Sequence, residues 1–156
     1  MNRLTSDWTD SLVEAFGDRG ARGHRGELFV ADAINSWGWE YRLFQSEYNE
    51  QISGIDIEFR SPKWSNFYTA DIKANIDDFG GFCVETDDDG WLFNPEKKSH
   101  RIWHCNPDTG WMAWYDRAEM QSFIVAKNMR NTGLYKVTAK DRLRFVSRRN
   151  HEVKSV

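Results

Sequence analysis

The run Gly54-Ile55-Asp56-Ile57-Glu58-Phe59 is followed, after a short interruption, by Tyr68-Thr69-Ala70-Asp71-Ile72-Lys73. In the first run Ile55, Ile57 and Phe59 alternate with Asp56 and Glu58, the period of two expected of a strand with one apolar and one polar face. In the second, Ala70, Ile72 and Ala74 alternate with Asp71 and Lys73, so the two charged side chains project together from one face of a second strand. Ser61-Pro62-Lys63-Trp64-Ser65-Asn66 lies between them and has turn chemistry, which makes the two strands antiparallel neighbours. Two carboxylates and an ammonium then meet on one sheet face.

Like charges held close repel, and carboxylates gathered at a sheet surface lose solvation, so the arrangement calls for a compensating group. A divalent cation is one. Mg²⁺ takes oxygen ligands, keeps several waters, and is typically held by one or two carboxylates together with substrate phosphate. A lysine beside such an ion can orient or deprotonate an attacking water. The alternative is an ordinary exposed hairpin with solvated charges.

The order Asp, then Asp-x-Lys on the next strand, resembles the PD-(D/E)XK nuclease superfamily. Here it reads Ile55-Asp56 and Asp71-Ile72-Lys73, with Ile where the motif name has Pro and Asp where Glu is commoner. Upstream, Arg25-Gly26-Glu27 opens a helical stretch reaching Trp37 and ended by Gly38, with Leu28, Ala31 and Ile34, joined by Val30 and Trp37, on its apolar face. Glu27 borders that face. A glutamate in a first turn also complements the helix dipole. Arg-Gly-Glu on a helix, followed by strands bearing Asp and Asp-x-Lys, is similar to the Holliday-junction-resolvase-like branch of the superfamily, in which a helical Glu completes the acidic site.

The resemblance implies a restriction-endonuclease-like α/β fold: an α-β-β-β-α-β core with a mixed central sheet flanked by helices. It implies a Mg²⁺-dependent deoxyribonuclease, an endonuclease rather than an exonuclease, in which Mn²⁺ can substitute. Asp56 and Asp71, with the Ile72 carbonyl, would hold the metal. Lys73 would position the attacking water, and Glu27 would bind a second cation directly or through water. Arg22 and Arg25 would lie near enough to meet phosphate. Two rival readings are a catalytically inactive nucleic-acid-binding module of the same fold and a protein-interaction domain, the latter favoured by the acidic body and eight Trp.

At 156 residues the chain suits one domain, and 15% aromatic content argues against disorder. No apolar run approaches the ~20 residues of a membrane span, and the first residues lack a signal-peptide core, which predicts an intracellular, cytoplasmic protein. Cys83 and Cys105 are too few for a zinc or iron-sulfur framework and read as reduced thiols. The net charge of −3 hides an asymmetry. From Lys127 onward nine basic residues stand against Asp141 and Glu152, leaving that segment at +7 and the preceding 126 residues at −10. Arg142, Arg144, Arg148 and Arg149 form its densest part, which suits a phosphate-binding end, or a merely solvated one. The expected partner is DNA, with a homodimer as one open assembly.

Other expectations fill in the remainder. A first helix is expected from Ser6–Asp10 to Gly17, and a strand over Trp39–Phe44. Phe82-Cys83-Val84 and Trp91-Leu92-Phe93 flank Asp87-Asp88-Asp89-Gly90 as a hairpin would. Glu85, Asp87, Asp89, Gly90 and Glu96 also fall near the pattern of a calcium loop, but the first position is not Asp and neither flank is helical in character. Asn94-Pro95 can start a short helix. Arg101–Cys105 and Trp111–Tyr115 read as strands joined by a turn at Asn106–Gly110, and Asp116 as the cap of a helix from Arg117 to Lys127. The four histidines show no paired ligand spacing.

Overall fold

The structure, a computed structural model, describes residues 23–44, 54–142 and 144–149. The expected first helix, Arg22 and most of the loop before Gly54 lie outside the described residues.

A helix, α1, occupies residues 23–36. Three strands follow: β1 (Glu40–Leu43), β2 (Ile57–Arg60) and β3 (Tyr68–Lys73), paired antiparallel in chain order, with Glu40 opposite Arg60 and Ile57 opposite Ala70. The turn between β2 and β3 is held at Ser61, whose carbonyl accepts from Trp64 N–H at 2.9 Å and whose hydroxyl accepts from Lys63 N–H at 3.3 Å. β4 (Phe82–Glu85) comes next, then β5 (Arg101–Asn106) and β6 (Trp111–Asp116), α2 (Arg117–Ala126), β7 (Leu134–Val137), α3 (Ala139–Arg142) and β8 (Val146–Arg149). The main sheet has the order β1-β2-β3-β5-β6-β8, and β4 pairs with β7 in a separate two-stranded ribbon. β3 and β5 run parallel, whereas every other pair is antiparallel. The protein is therefore mixed α and β, built on a mixed central sheet.

A parallel neighbour requires a crossover of a dozen residues or more. Residues 74–100 supply it, and here the chain departs from the expected core: the crossover contains β4 and turns where a helix was anticipated. Two local expectations fail with it. Phe82–Val84 does not form a hairpin with Trp91–Phe93, because its partner is β7. The carbonyls of Trp91 and Leu92 accept instead from the Arg117 guanidinium, and that of Leu92 also from the Gln121 amide Nε2 at 2.8 Å, so this segment is held by α2 side chains. Asn94 starts a single turn, its side chain accepting from Glu96 N–H at 2.9 Å and its carbonyl from Lys97 N–H at 3.0 Å, with no helix after it. Likewise no helix flanks the residues matching the calcium loop, and Asp87 accepts from Gly133 N–H at 3.0 Å.

Strand alternation divides the interior between two faces of the sheet. Ile57, Phe59, Ala70, Ile72, Trp103, Cys105, Met112 and Trp114 pack with Phe29, Val30, Ala33 and Ile34 of α1. Ile102, Ala113 and Tyr115 face the other way, against Met120, Phe123 and Ile124 of α2 and against Phe82, Val84 and Val137 of the ribbon. Burial is the main driving force for this layering, worth about 1.5–3 kcal/mol for each large apolar side chain taken out of water. α1 meets the sheet closely at its start: a Cβ on Gly26 would stand 2.8 Å from Ala74 Cβ and 3.3 Å from Cys105 Sγ. Only glycine fits there, and this contact fixes where Glu27 emerges.

Candidate active site

Asp56 is fixed by its backbone before its side chain is considered. Its N–H donates to Ala70 O and its carbonyl accepts from Phe44 N–H, both at 2.9 Å, so it is tied between β1 and β3. Because Ile57 turns toward α1, Asp56 turns to the opposite face, where Asp71 and Lys73 of β3 also project. Asp56 Oδ2 accepts from Ile72 N–H at 2.7 Å. The Asp56 and Asp71 side chains lie close enough for each to act on the ionisation of the other.

Burial is the largest influence on both acids. Asp71 is 4% exposed, and loss of solvent pushes its carboxyl up to about 7. Lys73 opposes this rise, while the neighbouring Asp56 reinforces it. Burial also raises Asp56, against the hydrogen bond from Ile72, and the charge of Glu27 adds to the rise. Glu27 is thus brought close enough to act on Asp56 electrostatically, and its Oε2 lies 3.5 Å from His24 Nδ1. Among the described residues, however, no group of three or more His, Cys, Asp or Glu is close enough together to hold a metal ion. The donors a hard cation would meet are therefore the two aspartates. They suit one: two oxygen-donor carboxyls, held close and driven toward protonation by burial, are groups whose protons a divalent ion can replace.

Lys73 Nζ lies 3.3 Å from Asp71 Oδ2 and 5.3 Å from the Trp91 ring centroid, a half-buried position with a cation–π neighbour. Trp91 is placed there by Arg117, which donates to the Trp91 and Leu92 carbonyls and, through Nε and Nη2, to Ser99 O at 2.9 Å and Ser99 Oγ at 2.6 Å. One guanidinium thus pins both ends of the segment that passes the site. Opposite Lys73 in register stands His104, buried, with Nδ1 2.6 Å from Asn75 Oδ1 and Nε2 2.5 Å from the Tyr115 hydroxyl. The Asn75 amide donates to Cys83 O at 3.0 Å, which leaves its oxygen toward the imidazole. His104 therefore carries its proton on Nδ1, and Tyr115 donates to Nε2. Burial holds His104 well below the usual histidine range and Tyr115 well above the usual phenol range, so the chain is neutral throughout. Nothing in the spacing of Asn75, His104 and Tyr115 announces this network, because it joins a residue just past β3 to β5 and β6.

The residues expected to bind nucleic acid divide. Arg25 Nη2 is paired with Asp108 at 2.7 Å in the turn between β5 and β6. Arg142 is 7% exposed, with its guanidinium 4.0 Å from the Trp111 ring centroid and packed beneath Gly80, so it belongs to the interior. Arg144 is exposed, and Arg148 and Arg149 lie on β8 at the edge of the main sheet. Both cysteines are free. Burial raises the Cys105 thiol, which keeps it protonated. No helix among the described residues is long and apolar enough to cross a membrane.

No protein-family model matches the chain, and no curated protein or solved structure is significantly similar to it.

Proposed function

We propose that the chain is a Mg²⁺-dependent nuclease of the PD-(D/E)XK type, acting on DNA as an endonuclease, with a restriction-endonuclease-like core. One observation carries the reading: Asp56 bound to Ile72 N–H at 2.7 Å, Asp71 buried beside it, and Lys73 3.3 Å from Asp71, all on one sheet face. Three antiparallel strands followed by a parallel neighbour support the reading, with β4 and turns standing in the crossover in place of the helix the resemblance implies.

Asp56 and Asp71, with the Ile72 carbonyl, would hold Mg²⁺ or Mn²⁺. When bound, such an ion makes hydroxide available near neutral pH and neutralises charge on the reacting phosphate. Lys73 leaves its pairing with Asp71 to orient the attacking water and meet the phosphate oxygens. Glu27 adds negative charge from α1 and reaches the site through water. Trp91 and the neutral Asn75–His104–Tyr115 chain form a rigid, uncharged wall that keeps Lys73 directed at the carboxylates.

The test is cleavage of labelled duplex, single-stranded, end-bearing and junction DNA, with RNA alongside, under Mg²⁺, Mn²⁺, Ca²⁺ and EDTA. Cleavage of at least one DNA substrate with Mg²⁺ or Mn²⁺ is expected, with Ca²⁺ binding but supporting turnover poorly. Full activity in excess EDTA contradicts the proposal. Binding without cleavage under every metal would assign the chain to the inactive nucleic-acid-binding class.

A further inference from the structure

We infer that Phe79, on the turn that follows β3, is a stacking platform for an unpaired nucleobase of the substrate strand, an inference that rests on the nuclease reading for its ligand. Phe79 is 89% exposed, more than any other large apolar side chain among the described residues. Single exposed apolar side chains are common at protein surfaces, so exposure alone assigns nothing. The backbone beneath this one, however, is fixed. Asp77 N–H donates to Gly81 O at 2.8 Å and Gly80 N–H to Asp77 O at 3.1 Å, while Asp77 Oδ1 accepts from Phe79 N–H at 2.9 Å and from Gly81 N–H at 3.0 Å. Gly80, at φ +84°, packs on the Arg142 guanidinium so closely that a Cβ there would stand 2.6 Å from Nη1. The ring is thus presented to water on a turn that is already ordered, and a base that stacks on it has little backbone left to order.

The turn lies between the acidic site and the basic end of the chain. It leaves β3 just after Lys73, and Ile76 ties it to the end of β5, donating to Cys105 O at 3.1 Å and accepting from Asn106 Nδ2 at 2.8 Å. Beyond the turn, Arg142 rests on Trp111 at the start of β6, and the exposed Arg149 of β8 stands opposite Trp111 in register, its guanidinium 5.8 Å from the same ring centroid. Lys73 and Arg149 therefore mark the same end of the sheet, three strand spacings or roughly 14 Å apart. A few nucleotides of an extended strand cover that span, with phosphates toward the two cations. The acids of the turn decide which part of the strand meets its tip. Asp77 is paired with Lys136, and Asp78 beside it is exposed, so the tip repels a phosphate and leaves the uncharged face of a base as the partner of the ring. Every base has such a face, so the contact tolerates any sequence and favours DNA whose bases are already unpaired.

The experiment measures binding of a labelled single-stranded DNA oligonucleotide, and of the blunt duplex of the same sequence, to the full chain in EDTA across a range of salt. Wild type is compared with Phe79→Ala, Phe79→Leu and Phe79→Trp, all of which should keep the wild-type unfolding midpoint because the side chain lies in solvent. Phe79→Ala should weaken single-strand binding by about 5- to 150-fold, the range for one stacked base, and leave the log–log salt slope unchanged because no charge is removed. Phe79→Leu keeps apolar bulk without a π-face and should lose nearly as much, whereas Phe79→Trp should bind at least as tightly as wild type. Duplex affinity should change little. Wild-type affinity for the single strand in Phe79→Ala or Phe79→Leu would overturn the inference, and the nuclease reading survives that result if wild type cleaves. Loss of binding in Phe79→Ala, with no cleavage by wild type under any metal, would uphold the stacking role and place the chain in the inactive binding class. A wild-type dimer in sedimentation that Phe79→Ala converts to a monomer would assign the ring to a contact between copies and overturn the inference. If wild type neither binds nor cleaves any nucleic acid, both fall together.

Discussion

Replacing Asp71 by Asn should make the metal-free protein more stable near neutral pH while removing its capacity for catalysis. Asp71 is buried with its carboxyl raised to about 7, against an ordinary value of 3.8. Between those values the unfolded chain releases the proton and the folded chain retains it, so wild-type stability falls as pH rises from about 4 to about 7. Each unit of displacement corresponds to about 1.4 kcal/mol, and between pH 5 and 7.5 the loss amounts to at most roughly 2.5 kcal/mol. Asn has no proton to lose. The difference between variant and wild type, measured by urea unfolding in EDTA, should therefore widen in the variant's favour as pH rises. Adding Mg²⁺ should narrow it, because an ion that binds only the folded state stabilises wild type by mass action. A difference independent of pH would refute the account of Asp71 as a carboxyl driven toward protonation by burial.

Three further outcomes are expected. Tyr115→Phe removes the donor to His104 Nε2 and leaves a buried acceptor unpaired, which should cost about 1–3 kcal/mol in urea unfolding; no loss would mean that the network is not as drawn. Replacing Arg144, Arg148 and Arg149 together with Gln should weaken DNA binding and flatten the salt slope by up to about 2.7, with cleavage largely restored at saturating DNA. An unchanged slope would show that this edge only faces solvent. Arg142→Gln should instead lower the thermal midpoint, since Arg142 is packed on Trp111 rather than presented to a ligand, and an unaltered midpoint would contradict that placement.

How far the chain could be read from its letters depended on whether an element is specified locally. β2 and β3 follow from alternation of apolar and polar residues, β5 and β6 from short, largely apolar runs on either side of a turn, and α2 follows Asp116 as expected, although Asp116 makes no side-chain cap bond and pairs with Arg101 instead. α1 was legible too, but its buried face is shifted from the expected one, taking in Phe29 and Ala33 and leaving Leu28 half-buried outside the core. The crossover was not legible. Trp91-Leu92-Phe93 has the composition of a strand, and only Arg117, far along the chain, shows why its carbonyls are already occupied. β7 is short and mostly exposed and β8 is short and largely polar, so the basic end carried no clear strand pattern and was read through its charge alone. At the site, alternation placed Asp56, Asp71 and Lys73 on one face, whereas the approach of Glu27 depends on the close packing of Gly26 against Ala74. The contributions of Trp91, His104 and Tyr115 arise from tertiary contacts, which spacing does not encode.

The central claim is that Asp56, Asp71 and Lys73 form a phosphodiester-cleaving site, and a single-turnover cleavage comparison of wild type with Lys73→Ala in Mg²⁺ tests it most directly. The substrate is whichever DNA the wild-type protein cleaves fastest, with folding of both proteins checked by their unfolding midpoints. The account predicts a rate reduced by roughly 10² or more in the variant, with metal binding and folding nearly intact. Cleavage by Lys73→Ala at the wild-type rate would contradict it.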